Sequence, residues 1–327
     1  MRFEPAGGDR PGGVVCLGET MAVLVPAEPG PPRAVGTWLR AIGGAESNVA
    51  VHLARLGVRS RWVGAVGDDA FGGAVLDAVG GAGVDVTAVR VDPDRPTGLY
   101  VKEADAAGSR VRYYRRGSAA SAMGPEVLAG LDLDDVALVH VTGITAALSD
   151  SCLALLRAVL ARPRAALVSF DLNWRPALWR DRDPSVLREL ADAADVVLVG
   201  SDEAEAVWGT GDPDELRALL PDPATLVVKH GARGATAVEG GTSTFQEGLR
   251  VEVVEPVGAG DAFAAGYLAA HLAGEEPARR LRAGHLQAAA ALLTREDVGE
   301  PLPASVTAPL LDADARTWAA AHLRRRR

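Results

Sequence analysis

Apolar residues occur in short runs separated by turns bearing glycine and proline, and the runs follow two different periods. Residues 14–17 are continuously apolar and stop at Gly18, as a short buried strand does. Residues 21–25 form a second extended piece before a proline-rich turn over 26–32. Over 45–56 the apolar positions fall at helical spacing, and Gly57 is a suitable helix terminator. Residues 61–66 alternate as a strand does, and 70–82 returns to the helical period. Two strand-like runs, 98–103 and 110–115, flank a turn-rich centre with Gly108, which predicts a hairpin. From 136 onward the rhythm is strand, turn, helix: strands over 137–141, 165–170, 196–199 and 225–228, with a helix over 151–161. These strand runs are almost wholly apolar, as parallel strands covered on both faces must be.

Alternation of this kind predicts an α/β protein, a doubly wound and mostly parallel sheet, with the hairpin inserted as a small β lid. The expected organisation is a loose tail over 1–13, one domain over 14–320, lid segments at about 20–42 and 97–117, and a basic tail over 321–327. Ligands of such sheets sit beyond the carboxyl ends of the strands, so the residues just after each strand are the first candidates for chemistry.

Composition narrows the function classes. The net charge of −9 over 327 residues argues against a nucleic-acid partner, and the basic cluster at 324–327 reads as a solvated tail. Cys16 and Cys152 each sit in an apolar run, which suits small buried thiols in a reducing compartment. The six histidines lack metal-ligand spacing. The first residues lack the apolar core of a signal peptide, and no apolar run approaches the ~18 residues of a membrane span. A cytoplasmic globular protein is expected.

The strongest chemical signal is Gly258-Ala259-Gly260-Asp261, after an extended run over 250–254 and before a long apolar helix. Glycines that open a helix let backbone N–H groups approach an anion, and the helix dipole favours negative charge there. The same dipole favours an ionised Asp261, which beside a phosphate could take a proton from an attacking hydroxyl. On loop chemistry alone, a glycine-rich turn with a capping aspartate explains the pattern about as well.

The segment Gly258 to Ala269 resembles the C-terminal signature of the ribokinase-like (PfkB) carbohydrate kinases. Gly43-Gly44-Ala45-Glu46-Ser47-Asn48, followed by Leu53-Ala54-Arg55-Leu56-Gly57, resembles that family's N-terminal signature. Within the family the pattern is most similar to the 2-keto-3-deoxygluconate kinases: Tyr113-Tyr114-Arg115-Arg116-Gly117 in the lid, His140-Val141-Thr142-Gly143, Asp171-Leu172-Asn173-Trp174-Arg175, and Pro256 in the signature.

The resemblance implies ATP-dependent phosphorylation of a sugar, with Asp261 as base and Gly258, Ala259 and Gly260 forming the anion hole. It implies a sugar site of Gly43, Gly44, Asn48, Tyr100, Tyr113, Tyr114, Arg115 and Arg175. Asp171, Asn173, Arg175, Ser201, Lys229, Gly231, Gly234, Gly258, Gly260 and His285 would face the nucleotide, and Glu203 would influence Mg2+. Gly200 and His285 stand where the family carries asparagine. Residue chemistry agrees in part: an arginine fork suits a sugar-acid carboxylate, and tyrosine offers a hydroxyl and an apolar face. Amphipathic lid strands with solvated arginines, a salt-bridged Arg175 and a merely helix-capping Glu203 are the plainer alternatives. So are a neutral sugar acceptor and a non-catalytic sugar sensor. A dinucleotide-dependent dehydrogenase is disfavoured, because the first strand runs into Leu17-Gly18-Glu19-Thr20 without GxGxxG. A homo-oligomer paired through the lid is a further expectation.

Overall fold

Strands that finish at one level of a single sheet determine where chemistry can gather. The computed structural model describes residues 12–28, 30–105, 108–161 and 166–325. Most of the expected N-terminal tail, residue 165 of one expected strand, and residues 326 and 327 lie outside these.

The first part of the chain contains β1 (Gly13–Leu17), β2 (Met21–Pro26), β3 (Trp38–Gly43), α1 (Ala45–Arg55), β4 (Ser60–Val63), β5 (Ala65–Gly67), α2 (Ala70–Gly81) and β6 (Arg90–Asp92). The hairpin follows as β7 (Leu99–Asp105) and β8 (Gly108–Tyr114). Next come β9 (Val136–Thr142), α3 (Gly143–Leu148), α4 (Asp150–Ala161), β10 (Leu167–Asp171), α5 (Val186–Asp192), β11 (Val196–Gly200), α6 (Ser201–Trp208), α7 (Pro213–Leu219) and β12 (Thr225–Lys229). The last part holds β13 (Gly234–Glu239), β14 (Thr242–Glu247), β15 (Arg250–Val251), α8 (Ala259–Leu272), α9 (Pro277–Leu292), α10 (Ala304–Leu311), α11 (Ala315–Ala320) and β16 (His322–Leu323).

The main sheet has eight strands in the order β14-β13-β12-β11-β10-β9-β1-β4. It is parallel from β4 to β12 and antiparallel only where β13 and β14 close one edge. Successive side chains on each strand enter opposite layers. Val15, Leu17, Val139, Val141, Val168 and Phe170 pack with Leu155, Leu156 and Leu187. Val14, Cys16, Leu138, Val196 and Leu198 pack with Val49, Leu53, Phe263 and Leu268 on the other side. Both cysteines are free and buried. A second sheet, in the order β3-β2-β7-β8, has its own small core of Met21, Val23 and Tyr100.

Three expectations change. The predicted strand over 61–66 is broken at Gly64: β4 joins the main sheet, whereas β5 pairs with β6. The Trp62 indole folds over the break and donates to the Gly18 carbonyl at 3.1 Å, and a Cβ on Gly64 would lie 2.5 Å from that ring. Of the extended run over 250–254 only β15 is strand, paired in parallel with β16. That pairing places 322–323, within the expected basic tail over 321–327, in an ordered element. Backbone hydrogen bonding and the burial of Trp318 decide it, and neither depends on the polarity of the neighbouring arginines. No helix among the described residues is long and apolar enough to cross a membrane.

Candidate active site

The register brings the ends of the parallel strands to one edge: Asp171 stands opposite Thr142, and Gly200 opposite Lys229. A cleft of about 420 Å³ opens beyond this edge, and the second sheet forms its far wall. On its floor, Lys229 Nζ donates to both oxygens of Asp171 at 3.0 and 2.8 Å. Burial works against the charge of Lys229, but Asp171 and then Glu203 outweigh it and hold the ammonium above its ordinary pKa. Asn173, just past β10, adopts φ 41°, the one non-glycine positive φ among the described residues. Asparagine tolerates that conformation, and it turns the chain so that the Nδ2 of Asn173 reaches 3.4 Å from Asp261 Oδ1.

Asp261 lies in the first turn of α8, and Asn48 of α1 donates to its other oxygen at 2.8 Å. Two amides therefore grip one carboxylate. Burial pushes the Asp261 carboxyl up to about 7, opposed by the Asn48 hydrogen bond and reinforced by the nearby Asp171 charge. Desolvation thus acts against the dipole-stabilised anion that the sequence suggests. Gly258 caps this helix at φ 84°, and a Cβ there would sit 2.1 Å from the Asp297 carbonyl oxygen. The first-turn N–H groups of such a helix have no intrahelical acceptor, which suits them to an anion.

The opposite wall carries Tyr100, Tyr113 and Arg115. Arg115 is buried, lies over the Tyr113 ring at 5.5 Å, and donates to Glu19 at 2.6 Å. Ser118 holds the other oxygen of Glu19. The sugar-acid contact expected of Arg115 would be shared with Glu19, which already partners its charge. Arg175 is the more open cation, 44% exposed and 3.6 Å from Glu203. The hydroxyl of Tyr100 is committed to Asp297 at 2.7 Å. The glycine pair is explained by protein packing as well as by ligand access. A Cβ on Gly43 would lie 2.3 Å from the Tyr100 hydroxyl, and one on Gly44 would lie 2.4 Å from the Glu19 carbonyl.

Gly43, Gly44, Asn48, Tyr100, Tyr113, Arg115, Asp171, Asn173, Arg175, Glu203, Lys229, Gly258, Gly260 and Asp261 all line this one cleft. Other expected residues do not. Tyr114 is exposed and alternates to the other face of β8 from Tyr113. His285 is buried edge-on against Phe263 at 5.2 Å and donates from Nε2 to the Gln246 carbonyl, so its place is in the packing of α9. Gly231 and Gly234 shape the turn after β12; a Cβ on Gly234 would sit 2.2 Å from the Gln246 carbonyl of β14. Ser201 begins α6 outside the cleft lining. Glu19 and Asp297 line the cleft and were not singled out from sequence. Glu19 follows the end of β1, where the strand-end rule points; Asp297 belongs to a loop with no motif.

Residues 12–305 match the profile of the pfkB family carbohydrate kinases. The chain belongs to that family. Among curated relatives, the 2-dehydro-3-deoxygluconokinase of Thermoproteus tenax is 38% identical over 277 residues, covering 82% of this chain and 84% of the relative. The 2-dehydro-3-deoxygluconokinase of Bacillus subtilis (strain 168) is 38% identical over 269 residues, covering 80% and 83%. The crystal structure of a PfkB protein from Polaromonas sp. JS666 superposes with a TM-score of 0.79 at 33% identity, covering 92% of this chain and all of that one. As a pfkB member the chain is an ATP-dependent carbohydrate kinase, and the ribokinase-like sheet is the scaffold on which its cleft is built.

The donor set sets limits on a metal. Glu203 faces the cleft but already accepts the Gly200 and Trp174 N–H groups, at 3.0 and 3.1 Å. Among the described residues, no group of three or more His, Cys, Asp or Glu is placed to hold a metal ion. Such a site fits Mg2+ of the kind that arrives on nucleotide phosphates, keeps several waters and takes one or two carboxylates.

Proposed function

We propose that this kinase phosphorylates the 6-hydroxyl of 2-keto-3-deoxygluconate, with ATP as donor. Asp261 takes the hydroxyl proton; the hydroxyl oxygen forms a bond to the γ-phosphorus as the bond to the bridging β–γ oxygen breaks, and ADP leaves. Asn48 and Asn173 hold the carboxylate in place before the sugar arrives. The amides at 258–261 would stabilise charge on the transferring group, at roughly 3 kcal/mol per preorganised donor. Lys229, fixed by Asp171, keeps a positive charge at the same edge. Glu203 would contribute to an Mg2+ carried by the nucleotide, whose chemistry is to neutralise phosphate charge. The second sheet would act as a lid that excludes water, the competing acceptor.

The observation that carries the substrate reading is that Asp261 shares its cleft with two guanidiniums, Arg115 and Arg175. A sugar acid gives them a carboxylate to bind; a neutral sugar does not. The Glu19–Arg115 pair favours a second reading, a neutral ketose such as fructose, because it removes one free positive charge. A coupled assay across keto-deoxy sugar acids and neutral sugars separates the two. Arg175→Ala is expected to lower kcat/KM for 2-keto-3-deoxygluconate by about 30-fold or more, the scale of a charge-assisted hydrogen bond. An unchanged value, or a wild-type preference for fructose or ribose, would transfer the assignment to the neutral sugars.

A further inference from the structure

Asp297 joins three parts of the molecule that the chain holds far apart. Its carboxylate accepts from Tyr100 at 2.7 Å and from Lys102 Nζ at 2.8 Å, both on β7 of the second sheet. The Lys102 and Asp297 side chains are each only 7% exposed. Its Oδ2 lies so close to Gly43 that a Cβ there would be 2.6 Å away. Its backbone carbonyl presses on Gly258 at the head of the anion loop, where a Cβ would be 2.1 Å away. One residue therefore touches the second sheet through its side chain and the anion loop through its peptide.

From this geometry we infer that Lys102 is a positioning residue for phosphoryl transfer, acting through Asp297 to set the loop at 258–261. Lys102 lies outside the cleft lining, whereas Tyr100 and Asp297 lie within it. A buried carboxylate with two donors has one preferred orientation. With Lys102 removed it would be a buried charge short of its ion partner, and would turn or draw in water to be satisfied. The peptide at Asp297 would move with it, and Gly258, already in a left-handed conformation against that carbonyl, has no slack on that side. The position of the second sheet and the aim of the anion-hole amides are thereby linked. The inference rests on the kinase activity of the cleft and not on which sugar it takes.

Hydrogen exchange on the intact, unliganded protein tests the link. In Lys102→Met, peptides covering 256–263 are expected to exchange about tenfold faster, while peptides in β11 and β12 change by less than about twofold. In steady-state assays with ATP, kcat is expected to fall about tenfold with both KM values within about threefold, as misplacement of transition-state donors predicts. Lys102→Arg, which keeps an ion partner, should recover most of the loss. If Lys102→Met does not fold, the double variant Lys102→Met, Asp297→Asn, which leaves no unpaired buried charge, is measured in the same way. Unchanged exchange at 256–263, or a uniform rise across the protein, overturns the inference. Failure to phosphorylate 2-keto-3-deoxygluconate would overturn the substrate reading alone, because the exchange measurement needs no sugar.

Discussion

Asp261 is held by opposing influences, and its titration should show them. Burial, aided by the Asp171 charge, raises its carboxyl to about 7 from an ordinary 3.8, while the Asn48 amide and the Arg175 and Lys229 charges pull the other way. A base must be ionised to accept a proton, so kcat/KM should rise with pH and level off above about 7. A profile flat from pH 5 to about 8 would mean that another group limits the reaction. Stability runs in the opposite sense. A carboxyl whose folded-state pKa is raised binds its proton more tightly when folded, so the fold loses stability as pH rises from about 4 to about 7. Asp261→Asn is therefore expected to raise the melting temperature at pH 8 and to change it little near pH 4. Asp261, Asn48, Asn173 and Arg175 were legible in the sequence because short motifs carry them. Lys102 and Asp297 were not, since their meaning comes from a contact across 195 residues of chain. Glu19 stands beside a strand end but carries no motif, and its ion partner, Arg115, lies 96 residues away.

At the scale of elements, the parallel strands were readable because burial on both faces leaves a continuous apolar signature. Helices α1, α2 and α4 were readable from their spacing, and α1 also from Gly57 at its end. The edge strand β14 gave no such signal: it closes the sheet with polar, mostly exposed residues such as Thr242-Ser243-Thr244. The break at Gly64 depends on where the Trp62 ring folds, and β16 on a backbone pairing, so neither leaves a period in the sequence. The α8 N-terminus offers a direct test of an element. Gly258→Ala places a side chain on a left-handed residue and drives it against the Asp297 carbonyl. A loss of unfolding free energy on the order of 2 kcal/mol is expected, with a larger proportional loss of kcat than of sugar affinity. Wild-type stability by chemical denaturation would show that the loop relaxes freely and is not held by Asp297.

For the whole molecule, two sheets of different character meet at one cleft. The main sheet, braced by a core on each face, fixes Asp171, Asn173, Glu203 and Lys229 at its carboxyl edge. The smaller sheet, with a core of only a few side chains, brings Tyr100, Tyr113 and Arg115 to face them. Helix α8 delivers Asp261 between the two. In the proposed mechanism the proton goes to that one carboxylate, and the walls around it bind the sugar. Steady-state kinetics and calorimetric sugar binding of Asp261→Asn address this most directly. The expected result is a fall in kcat of about a thousandfold with sugar affinity retained within about threefold, the scale of a lost general base. Turnover at the wild-type rate in Asp261→Asn would contradict it.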